Sequence, residues 1–104
     1  MTLLDLIVKE YISVVDSLEI NNEVENDRIV IERAEFKTML EKYAYATFTY
    51  KTKIYKALNF IVHDNNNYTM PYKDKEMSKT VRKVIINYKT YKILKHIYTT
   101  DIDI

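Results

Sequence analysis

The chain of 104 residues has no cysteine, no glycine, no tryptophan and a single proline, Pro71. Without cysteine there are no disulfides, zinc–thiolate sites or thiol nucleophiles, which fits a reducing compartment. Without glycine there is no GxGxxG or Walker phosphate loop, because those turns need backbone without a Cβ, and no GxSxG nucleophile elbow. Turns with φ > 0 must then fall on Asn or Asp, and Asn21-Asn22 and Asn65-Asn66-Asn67 offer themselves. No run approaches the ~20 apolar residues that span a bilayer. The opening MTLLDLIVKEY lacks the basic and then apolar segments of a secretory signal. A cytoplasmic protein with no membrane contact is expected.

What is present is an uneven charge. Up to Tyr45, ten acids (Asp5, Glu10, Asp16, Glu19, Glu23, Glu25, Asp27, Glu32, Glu35, Glu41) face five bases. From Thr47 to Tyr98, eleven bases face three acids, and the overall +1 conceals the split. A basic half laced with Tyr and Thr is the footprint expected where phosphates sit; the plainer reading of any one lysine is a solvated side chain. At 47% apolar the chain can build a core, and its length is that of one domain, residues 1–104. Ile, Lys, Asn and Tyr make up 44 residues, a bias that an AT-rich genome encodes: a low-GC bacterium, its phages or an archaeal virus.

Apolar residues at helical spacing (Leu3, Leu4, Ile7, Val8, Tyr11, Ile12, Val15, Leu18) predict a helix over residues 3–20, with Thr2 as N-cap and Asp5 at the capping-box position. Lys9, Glu10, Ser13 and Asp16 are assigned to its solvent face. The β-branched RIVIE at 28–32 suits a strand, and residues 33–43 return to helical spacing. Thr47 or Thr49 caps a third helix reaching about Phe60, with Thr49, Tyr50, Lys53, Lys56 and Ala57 left on its outer face. Ile61-Val62 leads into a turn cluster at 63–67. A strand over 68–72 is expected to lie at an edge or to be broken at Pro71, which cannot donate to a ladder. A polar loop over 73–79, the strongest strand at 80–88 and a helix at 89–98 follow, and the last residues are expected to fray. The predicted fold is α+β: three helices with a small antiparallel sheet whose hairpin forms a wing, a core over 28–88, and a C-terminal helix.

That order is the arrangement of a winged helix-turn-helix domain. Residues 28–94, through IVIERAEFKTMLEKY, TFTYKTKIYKALNFIV and YTMPYKDKEMSKTVRKVIINYK, resemble in pattern the winged-helix modules of phage and mobile-element replication or regulatory proteins. The chain departs from them in lacking glycine at the end of the third helix and in the wing, where Asn59 and Asn65–Asn67 must serve. The resemblance implies that the third helix enters the major groove. It would present Thr49, Tyr50, Lys53 and Lys56, with Lys73, Lys75, Lys79, Arg82 and Lys83 of the wing reaching phosphates or the adjacent minor groove. No Arg, Asn or Gln lies on that helix face before Asn59, so bidentate base readout is weak and backbone-dominated duplex binding is expected.

Ten tyrosines raise two further chemistries. Tyr50, Tyr68 and Tyr72 are candidates for exposure and base stacking, whereas Tyr11, Tyr43, Tyr55 and Tyr88 fall on apolar positions. A tyrosine nucleophile would need Arg, His or metal-carboxylate partners, and the sequence groups none. His63 and His96 have no ligand neighbours at i+3 or i+4, so no metal and no cofactor is expected, and no enzyme activity. The expected function is a small DNA-binding regulator or replication accessory of a phage, virus or mobile element. A rival reading makes it an inhibitor of a host defence complex, anti-CRISPR-like, whose acidic region imitates nucleic acid or docks on a basic protein. A third is an adaptor that forms a homodimer through the first helix.

Overall fold

The computed structural model describes residues 2–74, 76 and 78–102. Helix α1 (Leu3–Asn21) starts at a reciprocal capping box: the Thr2 hydroxyl accepts from the Asp5 amide, and the Asp5 carboxylate accepts from the Thr2 amide at 3.1 Å. Ile7, Val8, Tyr11, Val14, Val15 and Leu18 are buried. The helix differs from expectation at both edges of its stripe. Leu3 and Leu4 remain exposed, while Glu10, assigned to solvent, is only 3% exposed.

Strand β1 (Arg28–Ile31) is entered through a tight turn. Glu25 and Arg28 exchange both backbone hydrogen bonds at 3.0 Å across Asn26 (φ 54°) and Asp27 (φ 58°). Two successive left-handed residues define a type I′ turn, and Asn and Asp are the residues that tolerate it after glycine. The left-handed turn thus falls at Asn26-Asp27 rather than at Asn21-Asn22. Helix α2 (Arg33–Glu41) stops short of the expected Tyr43.

Helix α3 (Phe48–Ala57) is capped by Thr47, whose hydroxyl accepts from the Tyr50 amide at 3.2 Å. It ends at Ala57, earlier than the expected Phe60, because Asn59 turns left-handed (φ 57°). The Asn59 amide then donates to Lys56 O and the Phe60 amide to Tyr55 O, a Schellman closure in which Asn takes the place of glycine. Ser78 is also left-handed (φ 53°). The Asn65–Asn67 run is not: the Asp64 carboxylate accepts from the amides of Asn66 and Asn67 at 2.9 and 2.8 Å, so a side chain makes the turn that glycine would otherwise make.

Strand β4 (Lys79–Asn87) organises the antiparallel sheet. Its second half lies between β1 and β2 (Ile61–Val62), with Ile86 opposite both Ile29 and Ile61. Its first half pairs only with β3 (Met70–Asp74), from Met70↔Lys83 to Asp74↔Lys79. Pro71 sits on that outer strand, where no ladder donor is required of it. The hairpin ladder runs further than expected, taking Lys73 and Lys79 out of the predicted loop and into the strands. Helix α4 begins directly at Tyr88 and continues to Ile102. Residues 103 and 104 lie outside the described residues.

The helices pack on one face of the sheet. Ile29, Ile31, Ile61, Val84 and Ile86 join the α1 residues, Phe36, Leu40, Tyr55, Phe60 and Tyr91 in one cluster. Its centre is aromatic: Tyr11 stacks on Phe60 with centroids 4.0 Å apart, and Tyr55 meets the edges of Tyr11, Phe36 and Phe60 at 5.4 to 6.0 Å. Such pairs add about 0.5–1.5 kcal/mol each beyond the area they bury. Truncating fully buried Phe36 to alanine would cost about 3–5 kcal/mol.

Candidate nucleic-acid interface

Helix α3 divides its side chains cleanly. Lys51, Thr52 and Tyr55 are buried; Thr49, Tyr50 and Lys53 are exposed and Lys56 is half-buried. The four residues expected on the outer face therefore lie there together. Tyr68, just before β3, packs on Phe48 in the first turn of α3 with centroids 5.5 Å apart, and on Phe36 at 6.0 Å. The base of the β3–β4 hairpin and the N-terminal end of α3 thus share one aromatic cluster. Tyr68 is for that reason half-buried rather than the exposed stacking platform expected of it, whereas Tyr50 and Tyr72 are exposed.

The hairpin residues expected to form one basic patch do not form one. Side chains alternate across a strand, so Arg82 and its ladder partners fall on the face that carries Val84 and Ile86, while Lys79 and Lys83 fall on the opposite face with Ile85. Lys73, opposite Thr80, shares the Arg82 side. Arg82 is tied down at the base of the β3–β4 hairpin: its guanidinium donates to Thr69 Oγ1 at 2.8 Å, Thr69 O at 2.7 Å and Asp64 at 3.0 Å. Lys83 donates to Glu32 at 2.5 Å and lies over the Tyr72 ring; the Glu32 bond holds its ammonium above the ordinary lysine range. Asp64 is held below the usual carboxylate range, chiefly by the Asn66 and Asn67 amides. Lys73 and Lys79 are exposed and make no ion pair among the described residues, and Lys75 lies outside them.

The basic half is further thinned on α4. Lys92 bridges to Asp27 at 2.7 Å and Lys95 to Asp16 at 2.5 Å. Tyr88 donates to Glu19 at 2.7 Å, which with partial burial pushes its hydroxyl up to about 12. Tyr91 bonds Asp16 and Glu19 and is pushed higher still, mainly by burial. Among the described residues, Lys53 and Lys56 on α3 and Lys73 and Lys79 in the β3–β4 hairpin make no ion pair.

Composition and stripe drawing missed one pair. Lys51 Nζ donates to Glu10 Oε2 at 2.6 Å, and both side chains are 1% exposed. Lys51, which counts towards the basic half, is thus internally neutralised. The signal was positional: 48, 51, 52 and 55 make one stripe on α3, and 7, 10 and 14 make one on α1, whatever the polarity of the residues. Tyr43 was missed in the opposite sense. Expected in the core, it is 42% exposed on the α2–α3 turn, its hydroxyl 3.3 Å from that of Ser13.

A groove of about 600 Å³ lies on the other side of the sheet, between the turn before β1 and strand β3; Glu23, Glu25, Arg28, Val30, Tyr72 and Ile85 line it. No group of three or more His, Cys, Asp and Glu placed to hold a metal ion occurs among the described residues, and no helix among them is long and apolar enough to cross a membrane. No protein-family model matches the chain, and no curated protein matches it either.

Proposed function

We propose that the chain is a winged-helix protein that binds duplex DNA without catalysis, as a cytoplasmic regulator or replication accessory of a phage, virus or mobile element. The helix order, the β1-β4-β2 strand order and the β3–β4 hairpin beyond it support the winged-helix reading. The observation that carries the DNA reading is the outer face of α3. Thr49, Tyr50, Lys53 and Lys56 stand together there, with both ammonium groups unpaired among the described residues, while Lys51, Arg82, Lys83, Lys92 and Lys95 are bonded to acids.

These groups suit phosphates. Lysine contributes point charge and the hydroxyls contribute hydrogen bonds, with no bidentate donor for a base edge. Binding is then weakly sequence-dependent and roughly micromolar, with log affinity falling by about 0.9 per neutralised phosphate for each unit of log salt. Fluorescence anisotropy on a labelled duplex at several salt concentrations tests this: a steep slope supports it, and binding without salt dependence counts against it.

A second reading has its own observation. Glu23 and Glu25 line the groove beside Tyr72 and make no ion pair among the described residues, whereas Asp27 is engaged by Lys92. In that reading the winged fold is a scaffold, and the acidic rim docks on a basic protein such as a component of a host defence complex.

A further inference from the structure

We infer that Lys51 is a positioning residue of α3: it contacts no ligand, and it sets the rotation and height at which the helix presents Thr49, Tyr50, Lys53 and Lys56. An ammonium has three donors and no acceptor, and here each donor is used by a different part of the chain. Lys51 Nζ donates to Glu10 Oε2 on α1 at 2.6 Å, to Leu40 O near the end of α2 at 2.6 Å, and to Tyr43 O in the α2–α3 turn. The Tyr45 ring lies against it at 4.2 Å. Leu40 O lies in the last turn of α2, where it also accepts from the Tyr43 amide at 3.4 Å, and Tyr43 O lies just past the helix end, where the dipole favours a cation.

The other Glu10 oxygen accepts from the Tyr55 hydroxyl at 2.9 Å. Tyr55 lies one turn beyond Lys51, so a single α1 carboxylate grips two successive turns of α3. A rotation of α3, or a slide by one residue, breaks both bonds and strands charge in a dry site. Apolar contacts at the same place would tolerate such a shift, because they have no direction. The other ion pairs among the described residues are all much more exposed. This is the use of a buried charge as a register device rather than as a source of stability.

The consequence for DNA rests on the function proposed above; the consequence for α3 does not. The test variant is Glu10→Gln/Lys51→Met, which removes both charges and keeps a side-chain amide oxygen on α1 for the Tyr55 hydroxyl. Amide exchange by NMR on the full chain is expected to quicken at least about tenfold across α3 while Val84 and Ile86 keep their rates, the mark of a local opening. Affinity for the labelled duplex is expected to fall with its salt slope unchanged. Unchanged exchange in α3 overturns the inference. So does a slope shallower by about 0.9, which is what loss of a phosphate contact would give. If the double variant does not fold, Tyr55→Phe removes one hydroxyl of the grip, and a selective quickening of α3 in it supports the inference while uniform or unchanged rates overturn it. If the wild-type chain binds no duplex, the DNA reading fails, and the exchange rates alone decide the role of Lys51.

Discussion

Replacing Lys51 with methionine alone is the harshest perturbation of charge that the core offers. Methionine fills the volume but leaves the Glu10 side chain, 1% exposed in the wild type, with the Tyr55 hydroxyl as its remaining hydrogen bond. Removing one partner of a buried pair costs about 3–5 kcal/mol, because the surviving charge has lost water and gained nothing. Against a typical stability of about 5–15 kcal/mol, that is a large share. At about 4 °C or more per kcal/mol for a domain near this size, the melting temperature should fall by at least about 12 °C. Glu10→Gln/Lys51→Met should recover much of the loss, since no charge is left to desolvate. Urea unfolding of wild type, both single variants and the double variant, followed by circular dichroism, closes the cycle. Additive single losses, with no recovery in the double variant, would refute the reasoning: the two side chains would then not be interacting as a buried pair.

Two further outcomes follow from the backbone and the hydroxyls. Asn59→Ala places a Cβ-bearing residue without a local hydrogen bond at φ 57° and should cost about 1 kcal/mol, whereas Asn59→Gly should be neutral or stabilising; thermal melts separate the two. The hydroxyls of Tyr11, Tyr45 and Tyr55 are raised chiefly by burial, that of Tyr91 by burial and then Asp16, and that of Tyr88 by its Glu19 bond to about 12. The folded chain then keeps protons that an unfolded chain, with tyrosines near pH ~10, releases. Their contribution is full below pH ~10 and is lost as pH rises through the folded values. Absorbance at 295 nm should show these five ionising late and together with loss of the fold; early ionisation of all ten would contradict it.

Much of the architecture was legible because it is written in local chemistry. The Thr2–Asp5 box, the Thr47 cap and the Asn59 closure each need only a side chain that can reach a nearby amide or tolerate a left-handed backbone. Pro71 placed β3 at an edge, and the alternation in VRKVIIN placed β4. What escaped was decided by distant parts of the chain. Glu10 and Lys51 look like solvent-face charges until α1 and α3 are brought together, 41 residues apart, and each supplies the partner that makes the other's burial possible. Arg82 and Lys83 look like free wing cations until Asp64, Thr69 and Glu32 arrive beside them. The outer face of α3 was legible because it depends on helical spacing alone. The wing patch was not, because a strand sends alternate residues to opposite faces.

The central claim is that the outer face of α3 binds phosphates, and charge reversal at Lys53 and Lys56 tests it most directly. Both side chains lie outside the buried stripe of α3, so Lys53→Glu/Lys56→Glu should keep the circular dichroism spectrum and melting curve of the wild type. In an anisotropy titration against a labelled duplex at low salt, the account predicts that binding is lost, since two attractions become two repulsions, while Glu23→Lys/Glu25→Lys binds at least as well as wild type. Wild-type affinity in the folded Lys53→Glu/Lys56→Glu variant would contradict the account.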